Sequence, residues 1–333
     1  MKKRFTLLVL LMGLFSALPA RAVILAEGDY RHREDVQAFI QSVAAKSDYS
    51  EQDLIQLFSQ AKQQTHLFER MNKPAEKQLE WHQYRKIFLT EKRINKGIEF
   101  WKANRELLEQ VEQRYKVPAE IILAIVGVET FYGVYKGKAP VFDTLVTFAF
   151  DYPKRAKFFT RELEEFLILS AAQKFDVRAV MGSYAGAMGM PQFISSSYRH
   201  YAVDFDEDGT ANLFDSLPDV LGSVANYFVQ HGWQAGESVT HPLAVTNPSG
   251  LDQMSAGFKL SYSWDDLKAA GLSASVPLPD ATPVALIKLQ QQESADYWVG
   301  LKNFYVITRY NHSDMYAMAV YQLSQQIKDG MQI

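Results

Sequence analysis

Between Pro118 and Gly133 the chain reads PAEIILAIVGVETFYG. Ile121, Ile122, Ala124, Ile125, Val126 and Val128 point in nearly every direction around a helical wheel, so a helix here has to be enclosed on most sides. Pro118 suits a first helical turn and Gly133 a stop. One carboxylate, Glu129, falls in the last turn, and from Ala124 onward no other ionisable acid or base occurs until Tyr132 and Lys136. A charge in such surroundings costs several kcal/mol unless it is paired, neutralised or used. Apolar neighbours would raise the pKa of Glu129, which suits a general acid near neutral pH, although a buried glutamate satisfied by an arginine or by backbone donors fits the isolated residue as well.

The chain has 333 residues, 47% hydrophobic and 22% charged, an ordinary globular composition long enough for roughly two domains. It opens MKKRFTLLVLLMGLFSALPARA, with Lys2, Lys3 and Arg4 ahead of an apolar run and Ala20-Arg21-Ala22 behind it. This reads as a signal peptide, residues 1–22, because the apolar run falls short of the roughly 20 residues a membrane-spanning helix needs. No later segment is long and apolar enough to span. The chain has no cysteine, which excludes disulfides, thiolate metal sites and acylation of a lipoprotein cysteine, so a soluble exported protein is expected. Removing residues 1–22 takes away Lys2, Lys3, Arg4 and Arg21 and no acid, moving the formal charge from −3 to −7. Such a chain has no general electrostatic attraction to nucleic acid.

Helical spacing dominates the first third, as in Val36, Phe39, Ile40 and Val43, and Ser50 stands three residues before Asp53 as in a capped helix start. Helical patterns return over 158–175, 217–232 and in DMYAMAVYQLSQQIKDG. Between about Glu237 and Ser294, prolines, glycines and short segments such as PVALIKL predict strands and turns. The expected class is α+β, predominantly helical. The expected division is a helical domain at 23–116, a core at 117–236, a small β-rich domain at 237–297 and a return to the core at 298–333.

Three further stretches carry polar chemistry. GSYAGAMGMPQF (182–193) is nearly free of side chains at five positions, allowing close backbone approach to a helix or a ligand, with Ser183, Tyr184 and Gln192 interleaved as hydrogen-bonding groups. DFDEDGTANLFD (204–215) places Asp204, Asp206, Asp208 and Asp215 at positions one, three, five and twelve of an EF-hand-like loop, with Gly209 at six and the Thr210 carbonyl at seven. With one such loop, a structural cation, Ca2+ or another mono- or divalent ion, is expected rather than a sensor. RYNHSDMY gives Arg309, Tyr310, Asn311 and Tyr316, rings and amides of the kind a sugar cleft offers, although each tyrosine alone also reads as core. The remaining histidines show no metal-ligand spacing, and neither a serine-hydrolase elbow nor a phosphate loop is present.

Together GVETFYG, GSYAGAMGMPQF, the single acidic loop and RYNHS resemble the lytic murein transglycosylase B family over roughly residues 80–330. The resemblance implies a lysozyme-like core and a periplasmic enzyme that acts on the glycan strands of peptidoglycan, without an organic cofactor. It implies that Glu129 is the lone catalytic acid and base, cutting between N-acetylmuramic acid and N-acetylglucosamine to leave 1,6-anhydro ends. It further implies that Ser183, Gln192, Tyr310, Asn311 and Tyr316 line the cleft, that Tyr84 joins them, and that Lys154 and Arg155 face the peptide stems. Asp204, Asp206, Asp208 and Asp215 match the family's ion loop. A monomer is expected, with cell-wall synthesis or hydrolysis complexes as possible company. Two departures stand out: founding members carry a lipid-modified cysteine that this chain lacks, and Tyr184 occupies a position where many relatives have tryptophan. The rival readings are a muramidase of the same fold and a non-catalytic peptidoglycan-binding scaffold.

Overall fold

The computed structural model describes residues 30–72, 78–246, 251 and 254–332, and the expected signal peptide lies outside them. The chain runs through α1 (Glu34–Ala44), α2 (Glu51–Ser59), α3 (Phe68–Asn72), α4 (Trp81–Phe88), α5 (Glu91–Ala103) and α6 (Arg105–Tyr115). It continues with α7 (Ala119–Thr130), β1 (Ala139–Pro140), α8 (Val141–Asp151), α9 (Ala156–Gln173), β2 (Met181–Gly182), α10 (Ser195–Tyr201) and α11 (Leu217–Gln230). Then come β3 (Thr240–Val245), β4 (Tyr262–Ser263), α12 (Trp264–Ala269), β5 (Leu272–Ala274), β6 (Pro283–Gln290) and β7 (Ala295–Gly300), before α13 (Lys302–Tyr310) and α14 (Asp314–Met331) close the chain.

Helix α7 is the axis of the molecule. Every one of its residues except Glu129 is buried, with α5, α6, α11 and α14 packed around it. Each large aliphatic side chain enclosed in this way contributes about 1.5–3 kcal/mol, so the helix that carries the acid is anchored along its whole length. In the surrounding helices the sequence patterns hold: α1 buries Val36, Phe39, Ile40 and Val43, and α2 opens with a capping box in which the Asp53 amide donates to Ser50 Oγ at 3.1 Å.

The sheet is antiparallel, in the order β4-β6-β7-β3-β5. On β6, Val284 and Leu286 face a small core shared with Trp264 and Leu267 of α12, while Ala285, Ile287 and Leu289 face the main helical core. Burial on both faces explains why PVALIKL reads as a continuous apolar run and not as an alternating one. Among the described residues no helix is long and apolar enough to cross a membrane.

Candidate active site

The end of α7 is built to present Glu129. The expected stop at Gly133 comes earlier: Phe131 caps the helix in a left-handed conformation (φ 53°), followed by Tyr132 (φ 58°) and Gly133 (φ 85°). Non-glycine residues rarely adopt this region, so the turn has to be held by its surroundings. The Phe131 amide donates to the Gly127 carbonyl and the Tyr132 amide to the Val126 carbonyl, both at 3.2 Å. The Tyr132 hydroxyl donates to the Arg93 carbonyl at 3.1 Å. A Cβ at Gly127 would stand 2.7 Å from the Tyr132 ring, which accounts for the glycine in GVETFYG.

Thr130, buried beside the acid, joins this turn to the glycine-rich loop. Its hydroxyl donates to the Met190 carbonyl at 2.8 Å and accepts from the Gly133 amide at 3.0 Å. The Met190 amide in turn donates to the Leu213 carbonyl at 2.9 Å, reaching the ion loop. A Cβ at Gly189 would meet that same carbonyl at 2.5 Å, so the small residues of the motif serve close backbone approach.

Glu129 itself is half-buried. Its Oε1 accepts a hydrogen bond of 2.5 Å from the hydroxyl of Tyr316, which is only 3% exposed. Tyr316 is therefore a partner of the acid from beneath, in the first turn of α14, where Ser313 caps the helix. Tyr310 ends α13 with its hydroxyl on the Pro191 carbonyl at 2.7 Å. Burial first, and then the neighbouring Glu129 carboxylate, push both phenols well above the ordinary tyrosine range, so both remain neutral donors at any physiological pH. Tyr84 is buried in α4, near enough to Tyr316 to add a little to the forces that oppose ionisation of that phenol. Asn311 follows directly on Tyr310, extended and half-buried. Tyr227 of α11 escaped the sequence reading; its ring packs on Tyr310 with centroids 4.9 Å apart, and its hydroxyl donates to the Arg309 carbonyl at 2.6 Å. An aromatic within a regular helical pattern carries no signal that would have distinguished it.

Ser183 and Gln192 share a cavity of about 450 Å3 with Arg70, Tyr135 and Tyr184. Both side chains also shape their own loop. Ser183 Oγ accepts from the amides of Ala185 (3.2 Å) and Ala187 (3.0 Å), and Gln192 Nε2 donates to the carbonyls of Gly189 (2.9 Å) and Lys136 (3.2 Å). Their remaining capacity, the serine proton and the amide oxygen, is what a ligand can use. Lys154 and Arg155 lie on the turn before α9, where Lys154 Nζ donates to Asn72 Oδ1 at 3.2 Å and the Arg155 guanidinium stacks on Phe158 at 4.3 Å and reaches Met71 of α3.

The ion loop departs from its expected register. Carboxylate oxygens of Asp204, Asp206 and Asp219 lie within 4.8 Å of one another. Asp215, expected at position twelve, has an 80% exposed side chain 3.5 Å from Lys136 Nζ. Asp208 is exposed and accepts from the Thr210 amide at 2.9 Å. Asp219, fully buried at the start of α11, accepts from the amides of Phe205 (2.7 Å) and Asn212 (2.8 Å). Three hard, anionic oxygen donors this close repel one another without a cation between them, and they suit calcium chemistry.

The family model for the transglycosylase SLT domain matches residues 31–325. The chain is 41% identical to the membrane-bound lytic murein transglycosylase B of Escherichia coli K12 over 324 residues, covering 95% of this chain and 88% of that one. Among solved structures it resembles catenated SltB1 of Pseudomonas aeruginosa (TM-score 0.87, 42% identity, 91% of this chain and 100% of that chain). It also resembles the Escherichia coli lytic transglycosylase Slt35 in complex with calcium (TM-score 0.85, 40% identity, 95% and 100%). With the acid, the glycine-rich loop and the tyrosine pair assembled on one lysozyme-like frame, the chain belongs to the lytic murein transglycosylase B family and is a lytic transglycosylase.

Proposed function

We propose that Glu129 is both acid and base in a cleavage of the β-1,4 bond between N-acetylmuramic acid and N-acetylglucosamine that consumes no water. The protonated carboxyl donates to the bridging oxygen as the bond from that oxygen to the muramic C1 breaks. The substrate's own acetamido oxygen closes on C1 and spreads the positive charge. Then O6 of the same sugar attacks C1, the acetamido oxygen leaves, and the O6 proton passes to the Glu129 carboxylate. The product carries a 1,6-anhydro ring and the acid is protonated again. One carboxylate suffices because the second role, filled by a second acid in ordinary glycosidases, belongs to the substrate.

The observation that carries this reading is the setting of Glu129: half-exposed at the end of an enclosed helix, with a neutral, buried phenol on its Oε1 at 2.5 Å. Such a donor stabilises the carboxylate when it forms. Tyr310 and Asn311 are the groups proposed to orient the acetamido arm, with Ser183 and Gln192 binding the sugar farther along. Asp204, Asp206 and Asp219 are proposed to hold a structural calcium ion, and residues 1–22 to direct the enzyme to the periplasm as a soluble protein. The test is Glu129→Gln, which keeps the shape and removes the proton. Release of soluble fragments from purified sacculi should fall about 100-fold or more, with an unchanged melting temperature. A variant that still digests sacculi at the wild-type rate excludes Glu129 from the chemistry.

A further inference from the structure

Gln192 sits in the left-handed backbone region (φ 54°), which residues with side chains rarely adopt, so its place on the cavity wall has to be enforced by its neighbours. Its flanks are tied: the Pro191 carbonyl accepts from the Tyr310 hydroxyl at 2.7 Å, and the Phe193 amide donates to the Met188 carbonyl at 3.1 Å. The side chain is tied as well. Nε2 gives both of its protons to backbone, one to the Gly189 carbonyl and one to the Lys136 carbonyl, which leaves Oε1 as an acceptor and settles which way round the amide stands. Gly189 belongs to the same loop as Gln192, and Lys136 does not. Lys136 lies in the stretch after the catalytic turn, between Tyr135, whose amide donates to the Thr130 carbonyl at 2.9 Å, and Gly137, which approaches Gly182 too closely for a Cβ. A surface lysine ordinarily leaves its ammonium in water. Here Nζ is turned back onto the protein and donates to the Phe214 carbonyl at 2.7 Å, with the Asp215 carboxylate farther off at 3.5 Å.

We infer that Lys136 is a positioning residue for the sugar site: its ammonium fixes the 134–137 stretch against the Phe214 carbonyl, and its own carbonyl then aims the Gln192 amide so that Oε1 meets an N–H or O–H of the glycan. One residue thus joins three segments. Its main chain continues from the turn that carries Glu129, its carbonyl holds the glycine-rich loop, and its side chain is moored on the ion loop. A hydrogen bond from a charged donor is short and directional, so the stretch is held in place before substrate arrives. The assignment rests on the glycan-cleaving reading above and adds to it a residue, with its ammonium turned to the ion loop, that governs how tightly a strand is bound.

The test measures kcat and KM separately on solubilised glycan strands, beside a melting curve. Lys136→Met keeps the aliphatic stem and the carbonyl and removes the ammonium. KM should rise about fivefold, the loss expected for one misaligned hydrogen bond to substrate, with kcat within about twofold. Lys136→Arg restores a cationic donor and should bring KM back to within about twofold of wild type. Gln192→Ala, alone and combined with Lys136→Met, separates positioning from a general structural role: with the amide gone there is nothing left for Lys136 to aim, so the pair should show the same KM as Gln192→Ala alone. An unchanged KM in Lys136→Met, or losses that multiply in the pair, overturns the assignment. Glu129→Gln run in parallel keeps the two ideas apart: activity retained there defeats the acid assignment and leaves the KM comparison standing, because every Lys136 variant keeps Glu129.

Discussion

Two neighbouring parts of this molecule hold carboxylates, and they hold them by opposite means. At the end of α7 one acid receives a neutral phenol on its oxygen, on a turn stapled by Thr130 to the Met190 carbonyl. In the loop between α10 and α11 three acids crowd within 4.8 Å, and backbone amides and a buried position keep Asp219 there despite the repulsion. In the proposed reaction Glu129 gains and loses a proton within one turnover, and a neutral phenol can partner both of its states. A group that must hold a cation needs the accumulated negative charge. The two regions also touch through the Met190–Leu213 hydrogen bond, so the rigidity of one is available to the other.

The contrast can be broken first at Thr130. Thr130→Val removes the hydroxyl that serves Met190 and Gly133, leaving buried polar groups unpaired at a cost of about 1–3 kcal/mol. The displaced acid should then lose about 100-fold in kcat, since a 1 Å misplacement has effects of that order. Thr130→Ser should restore most of it. Full activity in the valine variant, measured on sacculi beside a melting curve, would show that the staple is dispensable.

A smaller effect is expected at Tyr316. Tyr316→Phe deletes the hydroxyl that donates to Oε1, and kcat should fall about tenfold with little change in KM. There is a pH signature as well. The phenol's pKa is raised by burial and then by Glu129, so its contribution to stability is complete below the ordinary tyrosine value of about 10 and is lost as pH rises beyond it. Wild-type melting temperature should therefore decline above about pH 10, and less steeply in the phenylalanine variant.

The smallest change belongs to the ion loop and is one of stability. Calcium at about 100 times its Kd adds about 2.7 kcal/mol, which corresponds to a melting temperature higher by several degrees. Asp219→Asn should abolish the rise, and Asp215→Asn should leave it in place. The reverse pattern would return Asp215 to the ligand set.

How much of this was legible in the sequence depended on whether a signal was local. The enclosed helix declared itself because its apolar residues point every way, and β6 did so because both of its faces are buried. Glu129 was conspicuous as a lone charge. Tyr310 and Tyr316 gained their meaning from the family resemblance, since either ring alone reads as core. Thr130 was invisible because its partner, Met190, lies 60 residues away. The ion loop misled by counting: Asp215 has the correct number, but Ser216 starts α11 and swings Asp219 beneath the loop, while Asp215 turns out toward Lys136. Phe131 was read as helix because nothing in its type announces a left-handed turn. Tyr132, wedged against Gly127, is what maintains that turn.

The central claim, that one acid serves both halves of the reaction because the sugar's own O6 replaces water, is tested most directly by digesting sacculi in water enriched in heavy oxygen and weighing the released muropeptides. The single-acid mechanism predicts products one water lighter than hydrolytic ones, with no heavy oxygen at C1. Full-mass products carrying the label would contradict it and make the enzyme a hydrolase.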